Sequence, residues 1–217
     1  PHSNAVVKIS EDGMAAVLMI GAAEIGQGSD TVLVQMCAES LGIPPSRIRM
    51  RSEDSDISPL DLGAYSSRVT LMGGHAVARA GQAVVDKMRP YAAAMLGCAE
   101  SDVVARDAKM WDGNAVGDCK AMGDRLSSRS VPWEEVARRY FNGNGPLVGT
   151  GCYKPPDGLG GDHKGGTVGT SPAYSFGSAV CEVSVDLETG KVKIDRFTDY
   201  HDCGTAINPQ TVHGQVE

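Results

Sequence analysis

Paired cysteines are absent from this sequence of 217 residues. The six cysteines stand far apart, and no two of them have the C-x-x-C spacing of a zinc or iron–sulfur site. Scattered thiols of this kind are typical of reduced cysteines, so we expect a cytoplasmic protein. The five histidines are equally dispersed and indicate no metal site.

Three other features are missing, and each absence excludes a class of protein. The net charge is -7 and no basic stretch stands out, which argues against a nucleic-acid partner. No apolar run approaches the roughly 18 residues that a membrane-spanning helix needs, so we expect no membrane span. The chain starts at Pro1 without a charged-then-apolar signal segment, and it stops at Glu217 without a capping residue, which suggests a fragment.

Glycine is what the chain has in excess. There are 27 glycines, whereas average usage of about 7% predicts roughly 15. They gather at 26–28, at 158–169 and singly through the last third. Clustered glycines indicate either many turns or a backbone that approaches a ligand closely.

Hydrophobic periodicity predicts an α+β fold with mixed or antiparallel sheets and packed helices. The length suits one domain, or two lobes at 1–125 and 126–217. A glycine-rich, irregular loop is expected at 153–172. The predicted elements are a hairpin of Ala5–Ile9 and Met14–Ile20, a helix Thr31–Leu41 ended by Gly42, a short strand Arg47–Arg51, a long helix His75–Met95 with a possible bend at Pro90, a helix that begins at Pro132, a hairpin around the turn "LETG", and a helix from Pro209.

The first candidate site is the stretch "IGAAEIGQGSDTV" at 20–32, in which a strand, a Gly-Gln-Gly turn and a helix start follow one another. The free amides of a helix N-terminus attract anions, and Gly26 and Gly28 permit close approach. Gln27 and Ser29 add donors, whereas Asp30 should point outward or cap the helix. A dinucleotide fingerprint is a partial match, with Thr31 in place of the third glycine and Glu53 as a ribose-binding acid. A plain turn with a helix cap is the alternative.

Three further stretches carry polar groups next to glycine. "LGAYSSRVT" at 62–70 places serines, a tyrosine and an arginine before a helix, where they suit an anion or, alternatively, cap the helix. "VGTSPAYSFG" at 168–177 and "DCGTAINPQTVHGQVE" at 202–217 are turn-rich. In the last of them Asn208 and Gln215 could bond a ligand amide, and the adjacent pair His201–Asp202 is better explained by capping than by catalysis.

Taken in order, "EIGQGSDT", "DLGAYSSR", "GTSPAYSFG" and "DCGTAINP…GQVE" resemble the molybdenum-binding subunit of the xanthine dehydrogenase/aldehyde oxidase family. The resemblance runs from about residue 5 to the end. It implies a fragment of the molybdopterin-binding region, with molybdenum held by a molybdopterin that often carries a cytosine dinucleotide in bacteria. It also implies iron–sulfur and FAD subunits as partners, together with the rest of the large subunit.

The resemblance assigns cofactor contacts to three segments and a catalytic residue to none. The family's catalytic glutamate is expected beyond Glu217, so the fragment alone should be inactive. The amino-acid sequence at 61–68 and 168–177 most resembles that of the 4-hydroxybenzoyl-CoA reductase branch, which dehydroxylates an aromatic thioester. Related branches hydroxylate aldehydes, purines or carbon monoxide. The expected cofactor-binding residues are Gly26, Gln27, Gly28, Ser29, Ala64, Tyr65, Ser66, Ser67, Arg68 and Gln215.

Two alternative functions belong to other classes. The chain could be an interaction or scaffold domain without a cofactor. It could also be an NAD-binding enzyme that uses "GQGSDT" for the dinucleotide.

Overall fold

The computed structural model describes residues 2–52, 54–116, 129–156, 161–163, 166–168 and 174–216, with the backbone alone at 115–116, 161–163 and 166–168. The chain divides into two compact units, Pro1–Pro155 and Pro156–Glu217. This division falls later than the lobe boundary at residue 125, and the domain assignment stays a prediction. Glu53, the candidate ribose-binding acid, lies outside the described residues.

A four-stranded sheet belongs to the first unit, and its strands are β1 (Ser3–Ile9), β2 (Ala16–Ile20), β3 (Ile48–Arg51) and β7 (Val148–Tyr153). They lie in the order β3-β2-β1-β7. Strand β1 pairs antiparallel with β2 and β7, whereas β2 pairs parallel with β3. The hairpin predicted at the start of the chain is therefore confirmed, and the sheet is mixed.

Two helices that run in the same direction pack together beside this sheet: α1 (Ser29–Leu41), which joins β2 to β3, and α2 (Gly74–Leu96). Met36, in the middle of α1, lies against the start of α2, because a Cβ on Gly74 would be 2.4 Å from Met36 Cε. Later residues meet in the same order, because a Cβ on Gly81 would be 2.0 Å from Ser40 Oγ. The N-termini of the two helices consequently lie at the same end of the pair.

Helix α2 also lies very close to the edge strand β7. A Cβ on Gly149 would be 2.1 Å from the Ala80 carbonyl oxygen, and one on Gly151 would be 2.0 Å from the Ala76 carbonyl oxygen. Only glycine permits this backbone-to-backbone approach. The helix continues through Pro90.

A second, three-stranded antiparallel sheet completes the first unit. Trp133, which follows the last strand of this sheet and begins a helix, is fully buried, and its Nε1 donates to the Leu41 carbonyl oxygen at 3.0 Å at the end of α1. Pro132 is the N-cap of a helix and not its first helical residue, because its backbone is extended (ψ 136°) and completes a strand. The elements are β4 (Val103–Arg106), β5 (Lys109–Asp112), α3 (Gly113–Val116), β6 (Ser130–Pro132) and α4 (Trp133–Phe141).

The second unit is built around a long hairpin, which confirms the prediction at "LETG". The helix predicted from Pro209 is also present. The expectation of an irregular loop at 153–172 is wrong at 161–163 and 166–168, which form a small antiparallel pair of strands. The elements are β8 (Gly161–His163), β9 (Gly166–Val168), β10 (Phe176–Val185), β11 (Val192–Asp202) and α5 (Pro209–Val216).

Within the described ranges, no helix is both long and apolar enough to cross a membrane.

Candidate functional site

The two donor-rich segments of the first unit precede the two helices that run side by side. Residues 24–29 lead into α1, and residues 61–68 lead through a π-helical turn, Val69–Gly73, into α2. Helix α1 contacts this π-turn directly, and a Cβ on Gly73 would be 3.7 Å from Leu33 Cδ2. The structure therefore brings both segments to one end of the helix pair.

Glu24 dominates the first segment, although sequence reasoning overlooked it. Its Oε1 accepts hydrogen bonds from the amides of Gly26 (2.8 Å) and Gly28 (3.0 Å). Its Oε2 accepts from the Asp30 amide at 3.0 Å and from the Ser29 hydroxyl at 3.4 Å. The carboxylate thus occupies the start of α1, where the chain's own negative charge faces the positive end of the helix dipole.

The hydrogen bonds to Glu24 also shift its titration. Partial burial acts to raise the pKa of the carboxyl group, but the amides of Asp30, Gly28 and Gly26 and the Ser29 hydroxyl outweigh it, and the pKa lies below its ordinary value of 4.5. Glu24 is therefore ionised at neutral pH. The signal in the sequence was an acid placed two residues before a Gly-x-Gly turn at a helix start.

Asp30 does not cap the helix, contrary to one of the two roles expected for it. The N-cap is Gly28, whose backbone is left-handed (φ 78°) and makes no side-chain cap bond. The Asp30 carboxylate instead accepts a hydrogen bond from Ser52 Oγ at 3.2 Å. The reason is that the carboxylate of Glu24 already serves the amides that a cap would serve.

Gln27 holds the turn together from within. Its Nε2 donates to the Ala23 carbonyl oxygen (3.1 Å) and to Ser29 Oγ (2.9 Å), and its Oε1 accepts from the Ile25 amide (2.6 Å). Both amide hydrogens of the side chain are thereby used. Gly26, by contrast, is left-handed (φ 97°), and the position of a Cβ there has no atom within 4 Å. The open approach in this segment is over the Gly26 backbone.

The second segment presents an exposed, strained pair of serines. Ser66 (φ 55°) and Ser67 (φ 49°) are consecutive left-handed residues that are not glycine, a conformation that costs free energy. Both are exposed, as is Tyr65, while Ala64 is half-buried against the core. Backbone strain of this kind concentrates at functional sites.

Arg68 stands apart from the rest of its segment because it is buried. Only 3% of the residue is exposed, and its Nη1 donates to Asp61 Oδ1 at 2.7 Å. The guanidinium carbon lies 5.6 Å from the centre of the Tyr65 ring. Contact between Arg68 and a cofactor stays a prediction.

Gln215 lies in the second unit, exposed on α5. Asn208 precedes that helix, and its Oδ1 accepts from the amides of Gln210 (3.1 Å) and Thr211 (3.3 Å), which is a capping role. The adjacent residues His201 and Asp202 have different partners. The His201 ring forms a hydrogen bond with Asp199 at 2.9 Å, and Asp202 accepts one from the Gly204 amide. Residues 169–173 of the motif at 168–177 lie outside the described residues.

Metal ligands are not grouped in the part of the chain that the structure describes, where no three His, Cys, Asp or Glu side chains could together hold an ion. The free thiols among those residues include Cys37, whose burial raises its pKa to about 12. The site is therefore built from backbone amides, hydroxyls and one internal carboxylate.

Comparison with known proteins gives consistent matches along the whole chain. The profile described as the molybdopterin cofactor-binding domain matches residues 1–217. The "Probable hypoxanthine oxidase XdhD" of Escherichia coli (strain K12) is 31% identical over 217 residues, which cover 99% of this chain and 20% of that protein. The "Carbon monoxide dehydrogenase large chain" of Hydrogenophaga pseudoflava is 32% identical over 205 residues, or 93% of this chain and 23% of that protein.

The fold is similar to solved structures as well. A crystal structure of the Cu,Mo-CO dehydrogenase in its carbon monoxide reduced state superposes with a TM-score of 0.79 at 28% identity, covering 99% of this chain and 24% of that one. The chain thus spans about a fifth to a quarter of the length of the relatives it matches.

Proposed function

Since this chain belongs to the molybdopterin cofactor-binding domain family, we propose that it forms part of the wall that holds a molybdopterin in the large subunit of a molybdenum-containing oxidoreductase. The observation that carries this proposal is the convergence of residues 24–29 and 64–68 at one end of the α1–α2 pair. The relatives are several times longer than the chain, so the activity belongs to a larger assembly of which these residues are one part.

The residues fit such a cofactor along an exposed rim. The open backbone at Gly26 and the exposed pair Ser66–Ser67 can donate to a phosphate or to the polar edge of a pterin. The deeper amides of α1 donate to Glu24, so a phosphate inside the first turn of that helix would meet a carboxylate. We therefore assign the ligand to the rim and not to the helix end.

In this placement, the residues of the chain orient the bound cofactor and shield it. The bound molybdenum cofactor supplies the redox chemistry. Gln27 and Glu24 keep the first loop rigid, so that Gly26 and Gly28 present a fixed backbone, while Ser29 is buried against Glu24. Ser66 and Ser67 offer hydroxyls and amides from the second loop. The family resemblance assigns a pterin contact to Gln215, and the general base is expected outside these residues.

The proposal extends to partners and location. Iron–sulfur and FAD subunits would carry electrons to or from the cofactor, and the remainder of the large subunit would complete the site. The names of the carbon monoxide dehydrogenase large chains, which describe one chain of an assembly, support this. The free cysteines among the described residues favour the cytoplasm, and a cytosine dinucleotide on the pterin is part of the same proposal.

The substrate is proposed only as an aromatic or heterocyclic small molecule. The sequence wording favours 4-hydroxybenzoyl-CoA, whereas the relatives named above are a hypoxanthine oxidase and carbon monoxide dehydrogenases. Reduction of 4-hydroxybenzoyl-CoA and oxidation of a purine, measured side by side on the purified complex, distinguish the two.

The NAD alternative loses its structural basis. A dinucleotide would place its pyrophosphate on the first amides of α1, and those of Gly28 and Asp30 donate to the Glu24 carboxylate. The scaffold alternative is tested by cofactor content, because a scaffold purifies without molybdenum or pterin.

Substitutions in the two loops test the placement. In the intact protein, Ser67→Ala and Gln27→Ala should lower molybdenum and pterin content more than they lower thermal stability. Ser101→Ala and Gln82→Ala are matched controls at exposed positions away from both loops, and they should keep full content. Full cofactor occupancy in both loop variants would show that the wall is placed wrongly.

A further inference from the structure

We propose that Arg68 is a positioning residue: it fixes the left-handed pair Ser66–Ser67 from beneath and does not itself touch the ligand. The inference rests on the proposed function of that pair as part of a cofactor wall. It assigns to Arg68 a role that differs from the direct cofactor contact implied by the family resemblance.

The guanidinium of Arg68 is fully used by the protein. An arginine has five N–H donors, and each of them has an acceptor here. A ligand could bond to this side chain only by displacing one of these acceptors, and the side chain is 2% exposed. The acceptors are Met72 Sδ for Nε (3.4 Å), Asp61 Oδ1 and the Gly63 carbonyl oxygen for Nη1 (2.7 Å each), and the His2 carbonyl oxygen (2.7 Å) and Ser3 Oγ (2.9 Å) for Nη2.

These five bonds connect three parts of the fold. Ser3 belongs to β1, Met72 to the π-turn before α2, and Asp61 and Gly63 to the loop itself. Asn4 adds a second tie, because its Nδ2 donates to the Leu60 carbonyl oxygen at 2.7 Å. The loop is thus held against the start of β1.

The ion pair of Arg68 and Asp61 beneath the loop is not fully hydrogen-bonded. Asp61 Oδ1 accepts from Arg68 and from the Gly63 amide (2.9 Å), whereas its buried Oδ2 has no hydrogen-bond partner in the portion of the chain described by the structure. A buried ion pair with an unsatisfied oxygen is poorly optimised for stability. Its role is better explained by the geometry that it imposes on the loop.

The geometry in question is the turn between the two anchors. Gly63 is left-handed (φ 101°) and Arg68 begins the π-turn, because its carbonyl oxygen accepts from the Met72 amide at 2.7 Å. Ser66 and Ser67 must reverse the chain in between. Left-handed serines persist only where the surroundings over-determine them, and the buried guanidinium supplies that constraint.

A mild and a severe substitution test the positioning role of Arg68 in the intact protein. Ser3→Ala removes one hydrogen-bond acceptor of Arg68 at a site that is remote from the loop in sequence. Arg68→Lys removes the guanidinium group itself. Hydrogen exchange of the bonded amides of Gly63 and Met72 should accelerate about tenfold in Ser3→Ala, and more in Arg68→Lys. Molybdenum and pterin content should fall with it. Arg47→Lys, at the partly exposed ion pair with Glu134, is the matched control and should change neither.

Rescue separates positioning from general stability. Glycine adopts left-handed backbone without cost, so Ser66→Gly should slow the exchange of the Gly63 and Met72 amides in the Ser3→Ala background by about threefold or more. Ala108→Gly relieves the same kind of strain at another turn (φ 55°) and should not slow that exchange. Equal rescue by both glycine substitutions, or no rescue by Ser66→Gly, would refute the positioning role of Arg68. If Arg68→Lys fails to fold, the Ser3→Ala variant still provides the test.

The two proposals fail in different ways. If the unsubstituted protein holds no pterin, the proposed function is wrong, and the exchange rates still decide whether Arg68 fixes the loop. If the pterin is present and Ser3→Ala changes neither the hydrogen exchange of the loop nor the cofactor content, the proposed function is unaffected and the positioning role of Arg68 is refuted.

Discussion

Replacing Glu24 by glutamine is the most informative single change in the first loop. The glutamine carbonyl can still accept from Gly26 and Gly28, but its amino group would face the Asp30 amide, which is also a donor. One unpaired amide costs about 1 to 2 kcal/mol. Loss of the negative charge at the N-terminus of α1 adds about 0.5 to 1 kcal/mol. The free energy of opening the start of α1 should fall by roughly 2 kcal/mol at pH 7.

The pH dependence of this loss follows from the lowered pKa of Glu24. A carboxyl group whose pKa is lower in the folded state stabilises the fold above its unfolded pKa, near 4.5, and this contribution disappears as the pH falls through the lower folded pKa. The difference between the unsubstituted protein and Glu24→Gln should therefore be full at pH 7 and shrink below pH 4.5.

Hydrogen exchange of peptides that cover residues 24–33 measures this local opening. Glu39→Gln, exposed on the same helix, is the control and should stay within about 0.5 kcal/mol of the unsubstituted protein. A Glu24→Gln effect that is small at pH 7, or that is the same at pH 7 and pH 4, would refute the assignment of Glu24 as the internal anion of this loop.

Three further predictions concern the scaffold. Gly149→Ala should destabilise the first unit by about 3 kcal/mol or more in chemical denaturation, because its Cβ would lie 2.1 Å from the Ala80 carbonyl oxygen, whereas Gly143→Ala has open space and should be nearly neutral. Ala108→Gly should stabilise by about 0.5 to 1 kcal/mol in the same assay, since the residue is left-handed in a two-residue hairpin turn. The Cys37 thiol, with its pKa raised to about 12 by burial, should resist alkylation at pH 8 until the protein is unfolded; rapid labelling of the folded protein would contradict its place in the core.

The elements that the sequence predicted well are those set by local pattern. The hairpin at the start of the chain and helices α1 and α2 follow from alternation and from 3.6-residue periodicity, and left-handed Gly42 ends α1 as expected. The isolated glycines at 149 and 151 were visible, but their purpose depends on α2, which precedes them by some fifty residues and packs on them only in the folded chain.

The sequence predicted two donor-rich loops before successive helices, but not the hydrogen bonds inside them. The Gly-Gln-Gly turn and the "AYSSR" loop were recognised as donor-rich, and the structure brings them to one end of the helix pair. The anion at the start of α1 turned out to be Glu24, which only the three-dimensional turn reveals. The burial of Arg68 depends on Ser3, a contact between residues far apart in the chain that no local motif encodes.

The content of molybdenum and pterin in the intact protein tests the central claim most directly. The protein that contains this chain should be purified from cells grown with molybdate, and the metal and the fluorescence of the oxidised pterin should be measured on the same sample. We expect molybdenum and pterin in equal amounts, both reduced by Ser67→Ala and unchanged by Ser101→Ala. A folded protein that contains neither would contradict it.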